Sequence, residues 1–256
     1  MNIKMKDLLG NRMKSYENVT RLRLTPRSCV IIRIDGKAFH TFTKNMRRPF
    51  DDTLVRIMAE TTHVVGQQMQ GFKLAYTQSD ESSFLITDFD NIESQGWFDY
   101  NLSKIISISA SLFTGHFNRL SQIIPMQSWK EKIGSMSAFF DSRAFVVPQS
   151  DIANYFLWRM KDWERNSLQM YARAWFSSKE LHKKNKADIH EMLHQIGRNW
   201  AEDLPGELKN GIFILNKDQD QLAETDPRFI TDMKPNFEEI NELIQSLLVS
   251  KKEGDI

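Results

Sequence analysis

The run Ser28 to Ile34 (SCVIIRI) is β-branched, has the length of a strand, and stops abruptly at Asp35-Gly36. Such a run predicts a β-strand, and the Asp-Gly pair predicts its end. A carboxylate there is held by rigid sheet yet faces solvent, which suits a metal ligand. Downstream, Phe72 to Tyr76 reads as a strand, TQSDE as a tight turn and Ser82 to Thr87 as the return strand, so Asp80 and Glu81 fall in a hairpin turn. If this hairpin pairs beside the first strand, Asp35 and Asp80 share one end of the sheet. Two close carboxylates repel each other, and a divalent cation relieves the repulsion. Magnesium takes hard oxygen ligands and completes its shell with water and phosphate oxygens. Two such ions can activate a hydroxyl and stabilise a leaving pyrophosphate, the logic of a polymerase-type palm. Asp and Ser are also favoured in ordinary turns, and a nucleotide cyclase or a metal-dependent nuclease uses similar carboxylates. The acidic residues alone leave the reaction open.

Elsewhere strands and helices alternate irregularly. Leu54, Ile57, Met58, Thr61 and Val65 recur at helical spacing and predict a helix from Asp52 to Gln70 with Gly71 as its C-cap. Further helices are predicted over Tyr100–Phe117, from a Ser150 N-cap to Phe176, over Ala187–Gly197 and over Phe237–Val249. Ala144–Val147 and Gly211–Leu215 read as short strands. Together with the hairpin, these elements predict an α+β fold rather than a doubly wound parallel sheet.

Composition excludes several classes. The chain has 256 residues, 17 of them Phe and 6 Trp, enough to fill a sizeable core. No apolar run approaches the ~18 to 20 residues of a membrane helix. The N-terminal stretch lacks the apolar run of a signal peptide, and the single Cys29 rules out disulfide scaffolds and Cys-based zinc sites. The expectation is a reduced, cytoplasmic setting with no membrane partner. The net charge of +1 conceals an asymmetry: residues 1–27 hold seven Lys/Arg against two Asp/Glu, residues 201–256 six against thirteen. Near neutrality argues against non-specific coating of nucleic acid, yet leaves room for a local basic surface that docks a polyanion.

The residues after Asp35 sharpen the reading. Gly36, Lys37, Ala38, Phe39 and His40 give a bend followed by a basic, an aromatic and an imidazole group. Backbone N–H groups after a Gly turn can cradle phosphate, and an aromatic ring can stack on a base. Lys44, Arg47 and Arg48 follow as cations for triphosphate or RNA, and Ser103-Lys104 could add a phosphate contact.

Taken in order, IIRIDGKAFHTF, KNMRRPFDDTL, AYTQSDESSFL, SKIISISASLF and FDSRAFVVP resemble the successive motifs of the tRNA-His guanylyltransferase family, which adds nucleotides to RNA in the 3′-to-5′ direction. The resemblance, over roughly residues 5–200, implies a polymerase-palm-like antiparallel sheet flanked by helices, with a palm-like catalytic core over 1–148. A helical C-terminal part over 149–256 would complete the same domain and contact RNA or neighbouring subunits. It implies two magnesium ions on Asp35, Asp80 and the Gly36 carbonyl, with Glu81 supporting the metal site. ATP and GTP or another NTP would be substrates, lined by Lys37, Ala38, Phe39, His40 and Ser79, with Ser103 and Lys104 on the triphosphate. Arg48 matches a position that activates the RNA 5′ end. Asp141 and Arg143 match a motif usually written with Gly where this chain has Ser142. The partner would be tRNA and the assembly a homotetramer.

One departure points to a branch. Eukaryotic guanylyltransferases carry His-Ile-Asn-Asn-Leu-Tyr-Asn where this chain reads Glu164-Arg165-Asn166-Ser167-Leu168-Gln169-Met170. Arg165-Asn166-Ser167, and later LHKKNKADIHEMLHQIG with Lys184 at a basic position and Lys183 where Gly is usual, resemble guanylyltransferase-like proteins that repair tRNA 5′ ends against a template. The resemblance therefore implies a magnesium-dependent, template-using nucleotidyltransferase. The alternatives are an authentic tRNA-His guanylyltransferase adding one untemplated G and a catalytically silent RNA-binding palm. HEMLH at 190–194 is a zincin pattern by letter, but no third ligand or Cys accompanies it, so it is discounted. No GxSxG elbow, P-loop or GxGxxG turn is present. Trp158, Trp163, Trp175 and Phe176 read as core or subunit interface.

Overall fold

The strands β1 (Cys29–Gly36), β2 (Phe72–Gln78), β3 (Glu81–Ile86), β4 (Phe140–Val147), β5 (Ile212–Leu215) and β6 (Phe229–Ile230) form one sheet in the order β4-β1-β3-β2-β5-β6. Every neighbouring pair is antiparallel. The computed structural model describes residues 7–124, 126–216 and 228–248. Its helices are α1 (Leu8–Asn18), α2 (Phe39–Phe42), α3 (Asp52–Gly66), α4 (Leu102–Ile123) and α5 (Gln127–Ile133) in the first half of the chain. Then come α6 (Ile152–Ala172), α7 (Lys186–Gln195), α8 (Trp200–Asp203), α9 (Gly206–Asn210) and α10 (Phe237–Leu248). The architecture is α+β, as the sequence implied, and the sheet draws strands from both sides of residue 148.

Strand alternation sorts the core into two layers. Val30, Ile32, Ile34, Ala75 and Phe84 pack on one face against Met58 and Val65 of α3 and Ile105, Phe113 and Phe117 of α4. Ile31, Leu74, Tyr76, Leu85 and Phe213 pack on the other against Phe156 and Met160 of α6 and Ile240 and Ile244 of α10. Both faces of β1 are covered, which is why its sequence is an unbroken apolar run instead of an alternating one. A third cluster joins Trp163, Leu168 and Tyr171 of α6 to Ile189 and Leu193 of α7 and to Trp200 and Leu208, so α6 outreaches the sheet. Phe50 packs against Trp163, ring centroids 6.2 Å apart, and ties the basic loop after β1 to α6.

Several predicted boundaries shift for identifiable reasons. α3 ends at Gly66, and Gly71 is no C-cap: at φ +78° it turns the chain into β2, and a Cβ there would lie 1.9 Å from the Thr87 carbonyl oxygen. Ser150 does not cap α6, because residues 149–151 form a 3-10 turn and the helix starts at Ile152. That helix stops at Ala172 and not at Phe176. α4 starts only at Leu102, after Asn101 caps it by accepting from the Lys104 N–H, and runs on to Ile123. α7 takes Asn185 as N-cap in a reciprocal box with Asp188. The short elements α2, α5, α8 and α9 and strand β6 carry too few periodic residues to be legible, and the predicted end of the last helix at Val249 lies outside the described residues. Among the described residues no helix is long and apolar enough to cross a membrane.

Candidate active site

The β2–β3 turn is tighter than the sequence suggests. Gln78 pairs with Glu81, so Ser79 and Asp80 alone make the turn, with Ser79 at a left-handed φ of 50°. Thr77, Gln78 and Glu81 stay in the ladder. β3 pairs with β1 so that Glu81 lies opposite Asp35, and the Gly36 N–H donates to the Asp80 carbonyl at 3.1 Å. The turn is thereby stitched onto the end of β1, and Asp35 and Asp80 meet there. Gly36 makes the approach possible: a Cβ on it would sit 2.8 Å from Asp80 Oδ2 and 2.5 Å from the Phe39 ring.

Burial pushes the Asp80 carboxyl above its ordinary range, the Asp35 charge adds to the rise, and the Ser79 hydroxyl, donating to Asp80 Oδ1 at 2.9 Å, offsets part of it. This is a carboxylate pair short of positive charge. Among the described residues no third His, Cys, Asp or Glu joins the two to make a metal cluster. The two carboxylates, with the Gly36 carbonyl that the resemblance adds, would make an all-oxygen, incomplete set. That fits magnesium, which keeps waters and takes phosphate oxygens for the rest of its shell.

Glu81 has a different environment. Both of its oxygens are taken by Arg159 of α6, Nε to Oε1 and Nη2 to Oε2 at 2.7 Å each, and Arg159 Nη2 also donates to Asp162 at 3.1 Å. Arg159 lies over the Trp158 ring, 4.6 Å from its centroid. Burial pushes the Glu81 carboxyl up and the guanidinium opposes it. Glu81 thus anchors the Ser79-Asp80 turn to α6. Sequence reading missed Arg159 because its partner is 78 residues away.

Two cavities open at the carboxylate pair. A cleft of about 1010 Å³ is bordered by Ala38, His40, Lys44 and Arg48, and a smaller space of about 440 Å³ by Glu81, Arg159, Asp162 and Asn166. Asp35, Ser79, Asp80, Trp163 and Arg173 border both. The structure therefore brings Asp35, Gly36, Ala38, His40, Arg48, Ser79, Asp80, Glu81 and Asn166 together. Phe39 also reaches the cleft, but its ring is 5% exposed among Phe42, Phe117 and Phe140, so it is a core ring without a free face for a base. Lys37 is fixed through its backbone, whose N–H donates to the Phe139 carbonyl at 2.8 Å, and its exposed side chain borders neither cavity.

Three further expectations are not met within one chain. Ser103 and Lys104 sit at the start of α4, whereas Phe117, thirteen residues beyond Lys104, is what packs beside Phe39. At 1.5 Å per residue the pair is about 20 Å along the helix from the cleft. Arg165 turns to the surface and donates to Asp162 at 2.6 Å, and Lys184 lies exposed ahead of α7. Neither borders a cavity. Across β1 from the hairpin, Asp141 faces Asp35 in the β4 register and pairs with Arg143 at 3.0 Å, while Ser142 turns to the other face and shares a 2.8 Å hydrogen bond with Ser109.

The pattern that defines the family described as tRNAHis guanylyltransferase matches residues 10–148. A bacterial tRNA(His) guanylyltransferase-like protein solved in complex with ATP superposes with a TM-score of 0.82 at 39% identity, covering 94% of this chain and 100% of that one. A second such bacterial structure, in complex with GTP, gives a TM-score of 0.75 at 36% identity with the same coverage. A probable tRNA(His) guanylyltransferase of Dictyostelium discoideum is 31% identical over 207 residues, 73% of this chain and 75% of its own.

The Arg159–Glu81 pair sets a stability test. Arg159→Met should cost about 3 to 5 kcal/mol in urea unfolding because it strands a buried carboxylate. Adding Glu81→Gln should recover most of that loss. A double variant no more stable than Arg159→Met would contradict the anchoring role.

Asp80 sets a pH test. Its folded-state value is raised, so the native state binds the proton more tightly and stability falls as pH rises through the window between the unfolded and folded values. Asp80→Asn should therefore be more stable than wild type at pH 7 without added metal, with the gap closing as pH drops below the ordinary carboxylate range. Equal unfolding midpoints at pH 7 would contradict the penalty that burial and the Asp35 charge place on the Asp80 carboxylate.

Proposed function

We propose, from the premise that this chain belongs to the tRNAHis guanylyltransferase family, that it is a template-dependent 3′-to-5′ nucleotidyltransferase that repairs tRNA 5′ ends. The observation that carries the proposal is the meeting of two substrate-sized cavities at the Asp35–Asp80 pair. In the first step an oxygen of the tRNA 5′-monophosphate attacks the α-phosphorus of ATP, forming a phosphoanhydride and releasing pyrophosphate. In the second the 3′-hydroxyl of an incoming NTP attacks the tRNA 5′-phosphorus, AMP leaves, and the hydroxyl proton passes to solvent.

Asp35, Asp80 and the Gly36 carbonyl would hold magnesium, which when bound would neutralise developing charge on the phosphates and acidify the attacking hydroxyl. Glu81, locked by Arg159, keeps Asp80 at the strand end. Lys44 and Arg48 border the larger cleft as cations for phosphate, and Arg48, three residues before the buried N-cap Asp51, is placed to grip the activated 5′ end. Phosphoryl transfer asks mainly for positioning and electrostatic stabilisation, and this site is built for both.

Glu164 supports the repair branch. It stands where the tRNA-His-adding motif begins with His, and it is paired with Lys186 at 2.7 Å. The second Asn of that motif is replaced by Ser167, which is buried and donates to the Leu208 carbonyl at 2.6 Å, leaving Asn166 to face the smaller cavity. A multimer, tetrameric by family habit, is part of the proposal. It is supported by α1, which buries nothing and leaves Leu8, Leu9 and Tyr16 exposed.

Incubating the protein with 5′-truncated tRNAs of several anticodons and labelled NTPs tests the branch. Extension rates should agree within about one decade, about 1.4 kcal/mol in transition-state binding, and changing the opposing base should switch the nucleotide added. Full-length tRNA-His extended at least about tenfold better than any truncated tRNA, with G added whatever base lies opposite, would overturn the repair reading.

A further inference from the structure

We infer that Arg173 is a phosphate-binding residue shared by both cavities, gripping the phosphate that lies between their two occupants. The inference rests on the proposed nucleotidyltransferase reading and names a residue that the motif comparison does not touch.

Arg173 follows the last turn of α6, on the helix face that also carries Asp162, Asn166 and Gln169 toward the smaller space. It borders that space and the larger cleft alike. The cations that border the two cavities differ in what they already hold. Arg159 is committed to Glu81 and Asp162, and Arg47 to Asp52 at 2.9 Å. His40, Lys44 and Arg48 border the larger cleft only. Arg173 is exposed, and among the described residues its guanidinium makes no ion pair or side-chain hydrogen bond.

The wall of the smaller space is acidic, with Asp35, Asp80, Glu81 and Asp162 against Arg159 and Arg173. A phosphate entering it needs a cation that is not already paired, and Arg173 is the one the wall supplies. Arg is suited to this because its planar fork meets two phosphate oxygens at once. In both steps the phosphorus under attack sits where the cavities join, bonded or about to be bonded to a group in each. Its non-bridging oxygens carry the spread charge that must be stabilised in each transition state. A cation that borders both spaces serves both steps, whereas one confined to the larger cleft serves the ligand held there.

The experiment separates this role from helix-end stabilisation. Arg173→Ala and Arg173→Lys are compared with wild type in two single-turnover assays: adenylylation of a 5′-monophosphorylated tRNA, and NTP addition to a 5′-triphosphorylated tRNA, which bypasses adenylylation. Arg173→Ala should slow both about ten- to a hundredfold, Arg173→Lys should restore part of each rate, and the melting midpoints should stay at the wild-type value. Loss in only one step, no loss, or loss that tracks a lowered midpoint would overturn the inference. Magnesium-ATP binding, followed by the fluorescence of Trp163 at the cavity junction, gives a readout independent of tRNA chemistry. If wild type performs neither step, the proposed function fails. Arg173 is then judged by this titration, where an Arg173→Ala dissociation constant raised about tenfold supports phosphate binding and an unchanged one overturns it.

Discussion

Two carboxylates that repel each other are held at one end of the sheet by backbone pairing, and the rest of the molecule is arranged around that opposition. The register sets Glu81 opposite Asp35, the Gly36 N–H holds the Asp80 carbonyl, and the missing side chain at Gly36 lets the Asp80 carboxylate close in. None of these contacts relieves the charge. The sheet can bear the strain because both faces of β1 are covered by helices and its apolar side chains are buried. Apolar burial at roughly 25 cal/mol per Å² outweighs one unfavourable charge pair. A site of this kind is a local loss of stability carried by the core, as functional sites commonly are.

α6 ties the sheet to the two cavities. Its first half packs Phe156 and Met160 onto the strands, its middle supplies Arg159 to lock Glu81, and its end carries Asn166 and Arg173 to the cavities. Converting Glu81 from a free carboxylate into half of a bidentate ion pair leaves two carboxylates, not three, for a cation. The same helix holds the basic loop through Trp163 and Phe50, so the cations of that loop are positioned against the carboxylates by apolar packing. Asp51 fixes the other end of the loop, capping α3 through the Thr53 and Leu54 N–H groups and accepting from Lys132 at 2.7 Å.

What was legible in the sequence follows from range. Ser28 to Ile34 declared itself because a strand covered on both faces needs apolar residues at every position. The hairpin with Asp80 declared itself because turn chemistry is local. Lys183, at a φ of 61°, occupies the left-handed conformation that favours Gly, in keeping with the resemblance that places Gly there. The Arg159–Glu81 pair was not legible, since nothing near either residue names the other. Phe39 read as a stacking ring because an aromatic beside a phosphate-type turn has two uses, and only the packing of Phe42, Phe117 and Phe140 decides between them. Ser103 and Lys104 matched a motif, but motif order says nothing of which end of α4 meets the cleft. Arg173 had a signal, the Asp162, Asn166, Gln169, Arg173 spacing of one helix face, whose meaning depended on what that face borders.

On the proposed function, Asp35 and Asp80 together would hold the cations on which nucleotide binding depends. Calorimetric titration of a non-hydrolysable ATP analogue, with and without magnesium, into wild type, Asp35→Asn and Asp80→Asn measures this directly. Wild type should bind the analogue with magnesium at least about tenfold tighter, some 1.4 kcal/mol, than without it, and each variant should lose that difference while keeping the same melting midpoint or a higher one. Magnesium-dependent binding that survives in both variants would contradict the account.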